Sequence, residues 1–487
     1  MWTGANYGGD AGNITVRANS INLLDKGNIY SNGFGYGRGG VIDIAAHDVL
    51  ISAANEAAVT NLQTVSGVAA QTDNFSNGGL IKLQADNLKI LDGGQISTVL
   101  LGGGRGADAD IQAKNILISG YVLDPILGYS LSGIDARLAV ITHLDGSLST
   151  PTGVGGNINV TTDNLQITNG GAVRTNLFDG ASGTAGDINI SAGGINISSG
   201  GQIYADSFRG TGDSGNINIT ANTLGIAGFG NSQAPFPIPE FTGLSTTTNA
   251  GRGGTINLSL TGDLSVDSGG GINAETQGSG LGGAISIAAQ NINLTNGSSI
   301  SAASYGTGNA GNIDFKVGNT FTARNSTVST QAVESDGGDI VLTAGYMARL
   351  IDSKITTSVN GGPQTVGGNI TVDPDFVILQ GSSIVANAFQ GKGGNIRIAA
   401  DTYLADPVSV VSASSALGID GTVDISAPIS DISAVVQPLP KEFVSATELL
   451  REPCEVRARG GKSSSLVLKG RDGVPNEPGG FLPSPMN

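Results

Sequence analysis

The stretch Gly155 to Ile203 reads GGNINVTTDNLQITNGGAVRTNLFDGASGTAGDINISAGGINISSGGQI. Its opening Gly-Gly-Asn-Ile-Asn-Val returns thirty residues on as Ala-Gly-Asp-Ile-Asn-Ile, and again as Ser-Gly-Asn-Ile-Asn-Ile from Ser214. Within each copy, aliphatics alternate with Asn, Thr and Ser, the period-two signature of strands with one face inward. Gly, Asn and Ser separate the alternating runs and supply the positive φ that tight corners need.

Working outward, the first inward aliphatic after each Gly-rich turn anchors one copy. The anchors are Ile14, Ile42, Ile81, Ala109, Ile158, Ile188, Ile217, Ile256, Ile285, Ile313, Ile340, Ile370, Ile396 and Val423. Ten of the thirteen intervals are 26 to 30 residues, and the others are 39, 49 and 39. A second alternation follows about seven residues after the anchor, as in Leu88-Lys89-Ile90 or Ile292-Asn293-Leu294, and a third about fifteen after it, at Ile96, Ile203, Ile300 or Ile355. Three short strands and three turns per copy describe one coil of an all-β, right-handed parallel β-helix. Fourteen coils at about 4.8 Å give a rod of roughly 65 Å. One coil cannot bury enough apolar surface to order itself, so coils hold only through coils above and below. A propeller or antiparallel sandwich would need two-residue hairpin turns and aromatic blade motifs, which this chain lacks.

Bulk composition agrees. Gly makes up 77 of 487 residues without a three-residue period, which excludes collagen, and aromatics are 5%. Forty acidic against 24 basic residues give a net charge of −16, which argues against a nucleic-acid surface. Cys454 is the sole cysteine, so no disulfide forms within the chain. No apolar run is long enough for a membrane span, and no basic n-region with an apolar h-region follows Met1, so no signal peptide is visible.

The long intervals place three insertions, near 53–66, 120–133 and 228–242, each after the second strand of its coil and before the third. Stacking would bring all three to one side of the rod, where insertions often bind. Tyr121, Tyr129, Phe236 and Phe241 are their candidate contact aromatics. Asn or Asp precedes many anchors (Asn13, Asn157, Asp187, Asn216, Asn312, Asp339, Asn369, Asn395), a pattern expected to stack into a polar ladder.

Catalytic chemistry finds little footing. His47 and His143 lie several coils apart, so no Ser-His-Asp or Cys-His arrangement forms. The run Gly103 to Ile111 echoes a calcium-binding nonapeptide, but Asp110 stands where an apolar residue is required. Gly461-Lys462-Ser463 lacks the upstream Gly of a phosphate loop, since that position is Val456. Asp86, Asp92, Asp163, Asp267 and Asp352 fall in different coils and are assigned different phases, so no carboxylate pair stands out. No catalytic, cofactor or metal residue is nominated, and the chain is read as a non-enzyme.

After Val423 the register decays at Pro428, Pro438 and Pro440, and 433–487 is read as a cap or tail with one short helix, Ser445 to Arg451. Met1 to Gly12 resembles Tyr204 to Gly215, the end of a coil, so the chain is expected to begin in mid-coil, as the C-terminal part of a longer polypeptide or a truncated reading frame.

The coil signature Gly78-Gly79-Leu80-Ile81-Lys82-Leu83, continued in Leu88 to Thr98, resembles the filamentous-haemagglutinin-like exoproteins of two-partner secretion. The tail sharpens the likeness: Leu439-Pro440-Lys441-Glu442-Phe443, Leu449-Leu450-Arg451-Glu452-Pro453-Cys454, Ser463-Ser464-Ser465-Leu466 and Gly470-Arg471-Asp472-Gly473-Val474-Pro475 are similar to the ending of large members. The resemblance implies a Gram-negative or cyanobacterial cell, export through an outer-membrane transporter, and a surface rod that adheres to cells or glycans. Members also carry a signal peptide and an N-terminal secretion domain, neither of which this sequence displays. A polysaccharide-binding or polysaccharide-cleaving β-helix is the alternative.

Overall fold

A computed structural model describes residues 1–5, 9–33, 37–54, 66–72, 77–122, 130–139, 141–142, 148–177, 180–207, 210–229 and 241–430. Among these residues the fold is all-β and contains no helix. It is a parallel β-solenoid, and its register is the one the anchors set. Ile14 pairs with Ile42, Ile42 with Ile81, Ile81 with Ala109, and so on without a slip to Ile396 and Val423. A one-residue slip would turn each Ile column out to solvent, so burial fixes the register. Most buried side chains of the long and short strands merge into one continuous core cluster, and Leu100, Leu138 and Leu177, at the ends of three short strands, form a smaller one with Ala181 and Ala185.

Each coil has a long strand, a tight corner and a short strand. The short strands form a 14-stranded parallel sheet. The first two alternations prove to be a single bent strand in nine coils, for example Ile188–Ser198, and two separate strands in five. The separations fall at Gly262, Gly345, Pro374, Asp401 and Pro428, and proline at such a point withholds a ladder N–H. Elsewhere the strand only bends. In Asp108–Ser119, buried Ala113 is followed by two outward residues, Lys114 and Asn115, before Ile116 turns in again.

The corner after the long strand is left-handed, over two residues in six coils and over one in the coils of Asn325, Asp352 and Gly381. Asp92 and Gly93 have φ of 50° and 86°, Asn169 and Gly170 of 52° and 79°. Asx side chains tolerate the first position and Gly the second, as in primed hairpin turns. A different constraint fixes the glycine two residues before every anchor but Ala109, where Ala107 takes its place. At Gly186, Gly215, Gly254 and Gly283 an added Cβ would fall far inside contact distance of the equivalent glycine carbonyl one coil earlier. The repeated Gly-Asn-Ile string therefore reflects backbone packed on backbone.

The expected polar ladder is present. Each Asn or Asp before an anchor accepts the backbone N–H of its counterpart one coil on: Asp187 N to Asn157 Oδ1 at 3.0 Å, Asn216 N to Asp187 Oδ1 at 2.8 Å, Asn369 N to Asp339 Oδ1 at 2.7 Å. A second ladder, unforeseen, runs along the long strand through Asp110, Asn159, Asn189, Asn218 and Asn257, with side-chain bonds of 2.7 to 2.9 Å.

The three long connections leave from one corner, after Val41–Ser52, Asp108–Ser119 and Ile217–Ala227. The coil of Ala109 differs from the sequence expectation, which put all its excess at 120–133. The excess is divided between an antiparallel ribbon, Tyr121–Val122 with Ser130–Leu131, and a second one, Ile141–Thr142 with Leu148–Ser149, beyond the short strand. The expected helix at 445–451 and Cys454 lie outside the described residues.

Candidate functional site

Of the four insertion aromatics, Tyr121 lies half-buried in the first antiparallel ribbon and Phe241 half-buried just before the short strand Gly243–Ser245. The Phe241 carbonyl accepts a 2.9 Å bond from the Gln202 amide, and its ring lies over Gly271. Tyr129, Phe236 and His143 lie outside the described residues. Tyr121 and Phe241 share the insertion corner but stand three coils apart. Phe229, at the start of the third insertion and 65% exposed, packs on the Gly269 corner. Sequence reasoning passed over it, although it sits inside the 228–242 insertion.

The richest side-chain chemistry lies elsewhere, at the bend of the long strands. There a groove of about 830 Å³ follows five coils along the rod. Its floor is a column of small residues, Ala46, Ala85, Ala113, Thr162 and Ala192. On one side stand Gln84, Gln112, Thr161 and Ser191, and on the other His47, Asp86, Lys114 and Asp163. Neighbouring pairs fix the phase: Ala85 pairs with Ala113 and Asn87 with Asn115, which places Asp86 beside Lys114, and likewise Lys114 beside Asp163. This corrects the sequence reading of the carboxylates: Asp86 and Asp163 share one phase two coils apart. Asp92 and Asp352 share another, at the left-handed corner, where φ is 50° and 48°. His47 is an exposed residue of the long strand and heads this row.

The charged row is bonded along its length. His47 Nδ1 lies 2.9 Å from Asp48 Oδ2 and its Nε2 lies 3.2 Å from Asp86 Oδ2. Lys114 Nζ donates to Asp86 Oδ1 at 2.7 Å. The hydrogen bond and charge of Asp48 raise the His47 pKa, favouring imidazolium. The bond from Lys114 holds Asp86 below the ordinary carboxylate range, and the same bond raises Lys114. A third amide ladder buttresses the row from the next position, with Asn87 donating to Asp48, Asn115 to Asn87 and Asn164 to Asn115 at 2.8 to 3.0 Å. Such exposed pairs add little stability but hold side chains in one array. In the second row the Gln84 amide reaches Gln112 at 3.4 Å.

A second charged cluster is buried on the outward side of the short-strand sheet. Asp135 receives both Arg137 and Arg174, the latter at 3.3 Å. Arg174 also reaches the Tyr204 hydroxyl at 3.3 Å and Arg137 the Gln95 carbonyl at 3.2 Å. These groups bond to one another through Asp135 Oδ2, while Asp135 Oδ1 is buried without a hydrogen-bond partner, and they lie out of reach of a large ligand. Among the described residues no three His, Cys, Asp or Glu side chains are grouped to hold a metal ion, and no helix is long and apolar enough to cross a membrane.

Comparison with known proteins finds no family model that matches the chain and no similar curated protein. The groove and the insertion corner are therefore interpreted from their own chemistry.

Proposed function

We propose that the chain is the rod of a secreted or surface-exposed adhesin, of the filamentous-haemagglutinin-like kind its coil and tail motifs resemble. The carrying observation is that the anchors of successive coils pair in register from Ile14 to Val423 while three long connections leave from one corner. A stiff array presents loops away from its base, and insertions on one side of a solenoid form a surface that binds without a deep pocket. In this reading the full-length protein leaves the cell through the outer-membrane transporter of two-partner secretion and attaches to cell-surface or glycan receptors. Replacing the three insertions with Asn-Gly-Gly corners tests it. Attachment of the purified chain to cells or glycan-coated surfaces should fall at least tenfold, with circular dichroism and thermal melting retained. Failure of the intact chain to attach, or undiminished attachment by the variant, overturns it.

The groove favours a second reading, that of a polysaccharide-binding β-helix. Asp86, bonded to both His47 and Lys114 and held below the ordinary carboxylate range by the Lys114 bond, suits ligand contact better than proton donation, so on this reading the groove binds without cleaving. Release of reducing sugar from a bound glycan, abolished by Asp86→Asn, would instead make it an enzyme.

A further inference from the structure

Resting on that second reading, we infer that the bend groove between Ala46 and Ala192 is a binding site for an uncharged linear polysaccharide lying along the rod axis. Its shape sets the first constraint. The groove crosses five coils at a repeat of about 4.8 Å, so it admits an extended polymer rather than a compact small molecule.

The backbone sets the second. The long strands flanking the groove already pair with coils on both sides, so their ladder groups are spent and a peptide cannot add itself as a strand. Recognition falls to side chains.

Charge sets the third. In the row His47, Asp86, Lys114, Asp163, basic and acidic side chains alternate coil by coil, and Asp86 is bonded to both His47 and Lys114. A polyanion would meet Asp86 and Asp163, and a polycation would meet His47 and Lys114. A neutral hydroxylated chain meets no such penalty, because each hydroxyl both donates and accepts. Gln84, Gln112, Thr161 and Ser191 offer amides and hydroxyls on the opposite side. Between the rows, the small-residue floor gives the C–H faces of sugar rings an apolar strip without bulk. Among the described residues no aromatic side chain lines the groove, so single-sugar contacts are weak and affinity accumulates along the polymer.

Affinity electrophoresis of the full chain in gels containing a neutral β-glucan, polygalacturonate or chitosan tests the site. The neutral glucan should retard the protein, with the other two retarding it at least tenfold less at equal mass. The Asp86→Ala/Lys114→Ala double variant, and separately Gln84→Ala/Gln112→Ala, should each lose at least tenfold in apparent affinity while melting as the parent does. The variant lacking all three insertions should be retarded as strongly as the parent, which separates this site from corner-mediated attachment. Equal retardation of both groove variants, preference for a charged polymer, or no retardation by the neutral glucan overturns the inference. Should one double variant fail to fold, the other decides.

Discussion

Gly283 shows how a single residue is held by the fold. Its Cα faces the Gly254 carbonyl one coil below, and a methyl group there has nowhere to go, because both partners are backbone. Gly194, in mid-strand, faces only the Thr223 hydroxyl at an ordinary 3.5 Å. Gly283→Ala should therefore cost about 1–3 kcal/mol, while Gly194→Ala should be nearly neutral; urea titration of both reads the difference, and equal costs would discredit the stacking account. Asp206 makes a pH-dependent prediction. Burial raises its carboxyl to about 7, partly opposed by the Ser245 hydroxyl and Thr247 N–H that it accepts. The folded state thus holds the proton more tightly than the unfolded chain, whose Asp titrates near about 3.9. Its contribution is intact below that value and is lost as pH rises to about 7. Asp206→Asn cannot ionise and should melt above the parent at pH 8, with the gap closing towards pH 4. A gap that is constant with pH would assign the effect to packing instead.

At the scale of elements, legibility followed repetition of residue type. Ile at one phase, Asn before it and Gly before that recur often enough to give anchor, ladder and turn, so register and corner were readable without coordinates. The groove row was not, because His47, Asp86, Lys114 and Asp163 share nothing chemically. Yet each stands five residues after its anchor, and counting by phase instead of by identity would have aligned them. The union of the first two alternations into one bent strand was also missed, since a bend made by two successive outward residues leaves the polar pattern looking like a turn. The second amide ladder supplies a test at this scale. Asn189 donates to Asn159 and accepts from Asn218, both at 2.9 Å. Asn189→Ala should cost about 1–3 kcal/mol for two part-buried bonds at ~0.5–1.5 kcal/mol each. Hydrogen exchange should quicken in the strands Ile158–Thr168 and Ile217–Ala227 on either side, and protection unchanged there would mean that the ladder does not couple coils.

At the scale of the whole solenoid, position along the axis decides what a residue is worth. Ile217 and Val423 occupy the same phase of the same column, yet Ile217 is fully buried and Val423 is 43% exposed. The first is clasped by Ile188 and Ile256, whereas the second has Ile396 on one side and, among the described residues, no rung of its column on the other. In a one-dimensional array, stability is the sum of coil terms and neighbour interfaces. Ile217→Ala should accordingly weaken two interfaces and leave a cavity, costing about 2–5 kcal/mol. Val423→Ala weakens one interface that solvent already reaches, and should stay within about 1 kcal/mol. Because the damage in the first case lies in mid-array, exchange protection should drop for coils on both sides of it and recover towards the ends, whereas Val423→Ala should fray only the last rungs. Exchange mass spectrometry of both variants reads this directly. A uniform loss along the chain in either variant would mean all-or-none unfolding, and with it the end of the claim that the solenoid is held coil by coil.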